Sequence, residues 1–137
     1  MNTTSASRVL DPRSFPARFE SEDELEDFLA TPSQELIDDL AGLEGDLLIL
    51  GVGGKMGPTL ARLARNAMPG RRVIAVARFS EPGTREMLER HGIETITCDL
   101  LDAAALARLP QCANVIFMAG RKFGGSSDNP LTWAMNV

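Results

Sequence analysis

The chain has 137 residues, of which 44% are hydrophobic and 24% charged, as expected for one globular domain. Its 14 Lys and Arg against 19 Asp and Glu give a net charge of −5, which argues against a general nucleic-acid or anionic-membrane surface. The two cysteines, Cys98 and Cys112, lack zinc-site spacing, and no apolar run has the length of a signal peptide or membrane span. We expect a cytoplasmic protein whose main partner is a small molecule.

Charge is unevenly distributed along the chain. Residues 19–46 hold eleven Asp and Glu and no Lys or Arg, whereas residues 47–137 hold eleven basic and seven acidic residues. A run of like charge is most often a solvated surface, and we interpret this one in that way. The change in composition predicts an N-terminal helical extension over residues 1–44 and a separate domain over residues 45–137.

The extension carries two helix-start signals. Ser21 with Glu24 and Thr31 with Gln34 have capping-box spacing, in which the two side chains satisfy free amides at a helix start. Pro32 is suited to the first helical position of the second helix. Apolar residues follow each signal at helical spacing. We therefore predict two short acidic helices, each with one apolar face.

Beyond residue 45, short apolar runs alternate with amphipathic segments, which is typical of βαβ units. We predict four strands, at residues 47–50, 72–78, 93–97 and 114–118. We predict helices at residues 56–67, 84–91 and 102–109, and a last one opened by Pro130. The inner face predicted for the first of these helices is Leu60, Leu63, Ala64 and Ala67. The predicted fold class is α/β, a Rossmann-like parallel sheet of strand order 3-2-1-4 with helices on both faces.

The turn between the first strand and its helix carries the chemistry, and its residues are Gly51, Val52, Gly53, Gly54, Lys55, Met56 and Gly57. A dinucleotide pyrophosphate lies at a helix N-terminus only where the preceding turn is tight and the backbone is accessible. Gly51 would form that turn, Gly54 would let the pyrophosphate come close to the backbone, and Gly57 would let the helix pack closely on the strand. No Lys-Ser or Lys-Thr pair follows the last glycine, which disfavours an NTPase loop. We predict a dinucleotide cofactor.

The end of the second strand favours NADP over NAD as that cofactor. In this fold an acidic residue about 20 positions beyond the glycines bonds the ribose 2′-OH and repels a 2′-phosphate. Here Arg78 occupies that stretch, with Ser80 close by and no acid before Glu81. An Arg offers a two-pronged contact to phosphate. The alternative is an arginine that is merely solvated at a strand end.

The spacing Gly51-x-x-Gly54-x-x-Gly57 resembles that of the extended and atypical short-chain dehydrogenases/reductases, which include nucleotide-sugar epimerases and dehydratases. The resemblance covers residues 47–137. It implies that an acidic residue after the third strand contacts adenine and that small residues after the fourth strand line the cofactor. The matching residues are Asp99, Leu100, Ala119 and Gly120, with Asn136-Val137 at the start of the next family helix. Leu50 stands where the family usually has Thr, the extension has no counterpart, and Asp99 has the alternative role of a turn or helix cap.

The resemblance implies an NAD(P)-dependent epimerase/dehydratase or oxidoreductase, acting on a nucleotide-linked sugar by hydride transfer through a transient ketone. Catalysis in the family belongs to a Ser and a Tyr-x-x-x-Lys motif, and this chain contains no Tyr. We therefore expect the dinucleotide-binding half of a longer enzyme, inactive by itself. A non-enzymatic NAD(P)-sensing regulatory module and a purely structural interaction domain are the alternatives. The strand at 114–118 has no predicted partner on one side, so we also expect a homo-oligomer.

Overall fold

A computed structural model of the chain describes residues 9–120 and 129–136. After a short 3-10 turn at Pro12–Ser14, helices and strands alternate in the predicted order. The helices are α1 (Glu22–Leu29), α2 (Gln34–Ala41), α3 (Gly57–Ala67), α4 (Thr84–Arg90), α5 (Ala103–Leu106) and α6 (Asn129–Asn136). The strands are β1 (Leu47–Leu50), β2 (Val73–Ala77), β3 (Glu94–Thr97) and β4 (Asn114–Phe117).

The four strands form one parallel sheet of order β3-β2-β1-β4, which confirms the predicted topology. Leu48 of β1 lies beside Ile74 of β2 on one side and beside Val115 of β4 on the other. All four strands have their carboxyl ends at the same edge, so the loops that follow them meet there.

Helices cover both faces of the sheet, as predicted. On the first face, α3 and α4 pack on a buried cluster formed by Leu47, Ile49, Val52, Ala61, Ala64, Met68, Val73, Ala75, Ala77, Leu88 and Ile93. On the second face, Ala105 of α5 and Leu109 pack against the buried residues Leu48, Ile74, Val76 and Cys98. Coverage of this second face stops short of β4, where Val115 and Phe117 are 52% and 63% exposed.

The inner face of α3 differs from its prediction. Leu60 and Leu63 are only half-buried, and the buried apolar residues of the helix are Ala61, Ala64 and Ala67. The helix starts very close to β1, because a Cβ on Gly57 would lie 2.0 Å from the backbone oxygen of Val52. At that distance the gap between helix and sheet holds alanine methyl groups and has no room for leucines.

The α1 start is confirmed and the α2 start is corrected. Ser21 caps α1, with its side chain accepting from the Glu24 amide. The cap of α2 is Ser33, which accepts from the Leu36 amide, so the predicted Thr31 cap is wrong. Pro32 is buried ahead of the helix, and its carbonyl accepts from the Leu10 amide instead of from a helical N–H. The Thr31 hydroxyl donates back to the Asp27 carbonyl of α1.

α5 is shorter than the predicted 102–109. Asp102 caps it, accepting from the Ala104 and Ala105 amides. The last predicted turn is instead closed by the tighter bonds from the Arg108 amide to Ala105 and from the Leu109 amide to Leu106. In the parts of the chain that the structure describes, none of the helices combines the length and the apolar character needed to cross a bilayer.

Candidate functional site

The glycine turn begins with a residue that requires glycine. Gly51 directly follows β1 and has a φ of +85°, and its amide and that of Val52 both donate to the Val76 carbonyl of β2, at 2.8 and 3.1 Å. A Cβ on Gly51 would lie 2.5 Å from the backbone nitrogen of Ala119, in the loop after β4. The left-handed backbone and this close approach each exclude a side chain. Gly51 thus forms the tight turn that the sequence predicts.

The three later glycines of the turn differ in the space around them. A Cβ on Gly57 would overlap the Val52 backbone, which fits the predicted role of close helix packing. A Cβ on Gly53 would lie 3.3 Å from the Ala77 Cβ. A Cβ on Gly54 would meet no described atom within 4 Å, so the fold itself does not need glycine there. A ligand that entered this open space and came close to the backbone would require glycine at position 54.

The loop between β1 and α3 presents free donors to this space. Gly53 and Gly54 are exposed, and within residues 9–120 and 129–136 no acceptor bonds the amides of Gly53, Gly54 or Lys55. The first turn of α3 contains no acidic residue. A helix N-terminus with unpaired amides carries partial positive charge and attracts anions, phosphates above all.

A cavity of about 340 Å³ opens at the carboxyl ends of the strands, above this turn. Loops following all four strands line it, together with Leu131 of α6. Eight of the eleven predicted site residues belong to this lining, namely Gly51, Gly53, Gly54, Arg78, Asp99, Leu100, Ala119 and Gly120. The other three do not: Gly57 is buried beneath the turn, and Lys55 and Met56 are exposed beside it.

The rim after β2 carries both signs of charge. Arg78 is exposed and makes no ion pair with any residue that the structure describes. Ser80, Glu81 and Thr84 line the same side of the cavity. A 2′-phosphate at this rim would meet the Arg78 guanidinium together with the Glu81 carboxylate, so the arginine is not the only charge there.

Asp99 has the turn role that was the alternative for its sequence position. Its carboxylate accepts from the Leu101 amide at 3.0 Å, and its carbonyl accepts from the Asp102 amide, which makes it a turn residue. It also lines the cavity together with Leu100. Val137, which completes the motif predicted at the chain end, lies outside the described residues.

The sequence did not reveal several lining residues, and Phe79 is the clearest case. It has a φ of +50°, a left-handed conformation that a bulky residue rarely adopts, and it packs against the first core cluster. Cys98, Leu101, Met118 and Leu131 also line the cavity. Only a Gly or Asn at position 79 would have been a sequence signal for such a turn, and Phe79 carries none.

Other titratable groups lie apart from this cavity. His91 caps the C-terminus of α4, with Nδ1 2.8 Å from the Met87 carbonyl oxygen. Hydrogen bonds from Thr95 and Arg85 lower the pKa of Glu89 on α4. A hydrogen bond to Glu94 raises the pKa of Arg72, at the amino end of β2. The described residues contain no group of three or more His, Cys, Asp or Glu side chains that could hold a metal ion.

Comparisons with known proteins return no match: neither a family model, nor a curated protein, nor a solved structure corresponds to this chain. The resemblance to short-chain dehydrogenases/reductases therefore rests on the motif residues of the sequence alone.

Proposed function

We propose that this chain binds a nicotinamide dinucleotide across the carboxyl edge of its sheet. The observation that carries the proposal is the cavity above the glycine turn, which lies beside β1. In the order β3-β2-β1-β4, β1 is where the connections change direction, with β2 on one side and β4 on the other. Ligands of open α/β sheets bind in the crevice at such a point.

Each part of the cavity has a place in this proposal. The pyrophosphate lies against the free amides of Gly53 and Gly54, with the exposed Lys55 amine beside it. The adenine lies between the loop after β2 and the Asp99-Leu100 pair. Ala119 and Gly120 are small enough to let the cofactor pass along the end of β4. The cofactor we favour is NADP, because Arg78 has no other partner in the described chain and Ser80 adds a hydroxyl on the same side.

The activity we propose for the protein is that of an NAD(P)-dependent epimerase/dehydratase or oxidoreductase acting on a nucleotide-linked sugar. A bound nicotinamide supplies a hydride acceptor and donor, and the role of this chain is to bind and orient it. The chain contains no Tyr. In this proposal the proton-transferring tyrosine and its lysine therefore belong to residues outside this sequence, and this segment by itself has no turnover.

A second candidate is a non-enzymatic module that senses the NAD(P) pool. It needs only the dinucleotide site that the cavity offers, since sensing requires no group that transfers a proton. Both candidates require dinucleotide binding. They differ in whether a Tyr-x-x-x-Lys motif follows in the parent reading frame, so the sequence of that frame decides between them.

The binding claim is tested by calorimetry on the purified chain with NADPH, NADH and adenosine 2′,5′-bisphosphate. We expect saturable binding of NADPH, weaker binding of NADH, and measurable binding of the bisphosphate, since it carries the 2′-phosphate without the nicotinamide. If none of the three binds at millimolar concentration, the proposed function is wrong. If NADH binds as tightly as NADPH, only the choice of cofactor is wrong.

A further inference from the structure

The face of α3 turned away from the sheet is hydrogen-bonded to the acidic extension. Three side chains at successive helical turns make the contacts. Thr59 Oγ1 donates to Glu26 Oε2 at 2.5 Å, an Arg62 Nη donates to the Asp27 carboxylate, and Asn66 Nδ2 donates to the Ala30 carbonyl at 2.8 Å. The extension therefore holds α3 along most of its length.

The side of α3 that faces the sheet buries little apolar area. Its buried apolar residues are alanines, and the free energy of burial scales with apolar area, so each methyl group contributes less than a leucine would. A helix packed through alanines can come close to the sheet, but few interlocking side chains resist its sliding. The contacts on the opposite face supply that resistance.

The attachment of α1 to α3 depends on the ion pair between Arg62 and Asp27. Its side chain is 10% exposed, its guanidinium pairs with Asp27, and its Nε has no hydrogen-bond partner among the described residues. A buried guanidinium that loses its carboxylate becomes an uncompensated charge. The docked position of α1 is therefore set by Asp27, and not by apolar contact alone.

Resting on the proposed function, we infer that Glu26 and Asp27 are positioning residues for the dinucleotide site. Thr59 is the third residue of α3, in the helical turn that follows Gly57. Its bond to Glu26 therefore acts on the first turn of α3, which directly follows the loop whose Gly53 and Gly54 amides border the cavity. By holding α3, the two carboxylates fix the distance between the helix start and the loops after β2 and β4. Because binding couplings are reciprocal, bound dinucleotide in turn stabilises the docked α1.

The test compares two acidic pairs on the same helix. The variant E26A/D27A removes the contacts to α3, and the matched control E22A/D23A removes an identical Glu-Asp pair for which the structure shows no bond to α3. Both lose two negative charges from α1. We expect the Kd for NADPH to rise about tenfold in E26A/D27A, within the usual range of such couplings, and to stay within about twofold of wild type in the control.

Two further readouts separate positioning from a merely structural role. In hydrogen exchange on the wild type, NADPH should slow exchange of the α1 amides, an effect that a passive attachment would not show. If E26A/D27A does not fold, Thr59→Val and Thr59→Ser replace it: we expect weaker NADPH binding in the first and near wild-type binding in the second, which keeps the hydroxyl.

The outcomes are distinct. Wild type that does not bind NADPH overturns the proposed function. Wild type that binds, with E26A/D27A or Thr59→Val indistinguishable from its control, overturns the positioning role alone, as does unchanged exchange of α1.

Discussion

Two parts of the molecule differ in how many of their side chains and glycines have contacts within the chain. Around α3, the helix is enclosed between the sheet and the extension, Gly57 touches Val52, and even the charged Arg62 is buried. Along the carboxyl edge and β4, by contrast, Gly54 has open space beside it, Arg78 has no ion-pair partner in the described chain, and Phe117 is 63% exposed.

The difference indicates where to look for binding. Residues of the enclosed part are explained by packing and hydrogen bonds within the chain, and their types follow from folding. The glycine, arginine and phenylalanine of the open part contribute little to the fold, so their types are better explained by something that binds them. A polar rim with free amides fits a dinucleotide, and an apolar strand edge fits a second copy of the chain.

The largest expected effect is on folding, at the enclosed glycine. Gly57→Ala introduces a Cβ 2.0 Å from the Val52 oxygen, which forces α3 away from β1. We expect the free energy of unfolding to fall by about 3 kcal/mol or more, as for severe overpacking. Gly54→Ala is the control and should change it by less than about 0.5 kcal/mol. Urea denaturation of both variants measures the contrast, and equal losses would remove the distinction between the two glycines.

The next effect concerns the open rim. Arg78→Ala should weaken NADPH binding about ten- to a hundredfold, since a charge-assisted contact to phosphate is lost, and should leave NADH binding nearly unchanged. Arg90→Ala removes the same charge from an exposed site of α4 outside the cavity. Calorimetry with both cofactors should show no loss in that control. A preference for NADPH that survives Arg78→Ala would show that Arg78 is only a solvated strand-end residue.

The sequence predicts the sheet well and its attachments poorly, for a physical reason. The order of β3, β2, β1 and β4 follows from short apolar runs and from the handedness of βαβ connections, which are local rules. The bonds from α3 to the extension join residues 33 to 36 positions apart, and no local pattern encodes such partners.

The candidate site divides in the same way. The glycines could be identified because a tight turn, the approach of a pyrophosphate to the backbone and the close packing of a helix on a strand each favour glycine, which is visible in the sequence. Phe79 could not, since a phenylalanine with positive φ carries no sequence signal. The position of Pro32 is determined by its burial and not by helix initiation, a tertiary effect that the local sequence does not show.

A smaller effect is expected at the exposed strand edge. We expect the chain to self-associate at tens of micromolar through β4, where Val115 and Phe117 are exposed. Phe117→Lys places a charge on this surface and should raise the dissociation constant about tenfold. Light scattering across concentration measures it. The alternative route is through α6 around Leu131 and Trp133; Trp133, the only tryptophan, is 69% exposed in the single chain, so its emission should shift to the blue if α6 is buried on association. A wild type that stays monomeric with unshifted emission would contradict the oligomer.

The smallest expected effect concerns the surface cluster of Glu89, Thr95 and Arg85, in which the charged side chains have partners within the chain. Thr95 and Arg85 bond the Glu89 carboxylate and hold its pKa below the usual value. A lowered folded-state pKa adds stability above the unfolded pKa, and this stability is lost as the pH falls through the folded value. Thr95→Val should therefore raise the Glu89 pKa toward normal and lower stability slightly at neutral pH but not in acid. A carboxyl carbon NMR titration reports the shift, and an unchanged pKa would mean that the Thr95 bond is absent in solution.

In our proposal a dinucleotide occupies the open space beside Gly54, and one substitution tests this directly. Gly54→Val fills a position that has no atom of residues 9–120 or 129–136 within 4 Å of the added Cβ, so the protein should melt at an unchanged temperature. The side chain would stand where the pyrophosphate lies. NADPH titration by calorimetry should give saturable binding to wild type and none to the folded Gly54→Val variant. Equal NADPH affinity in the two proteins would contradict the account.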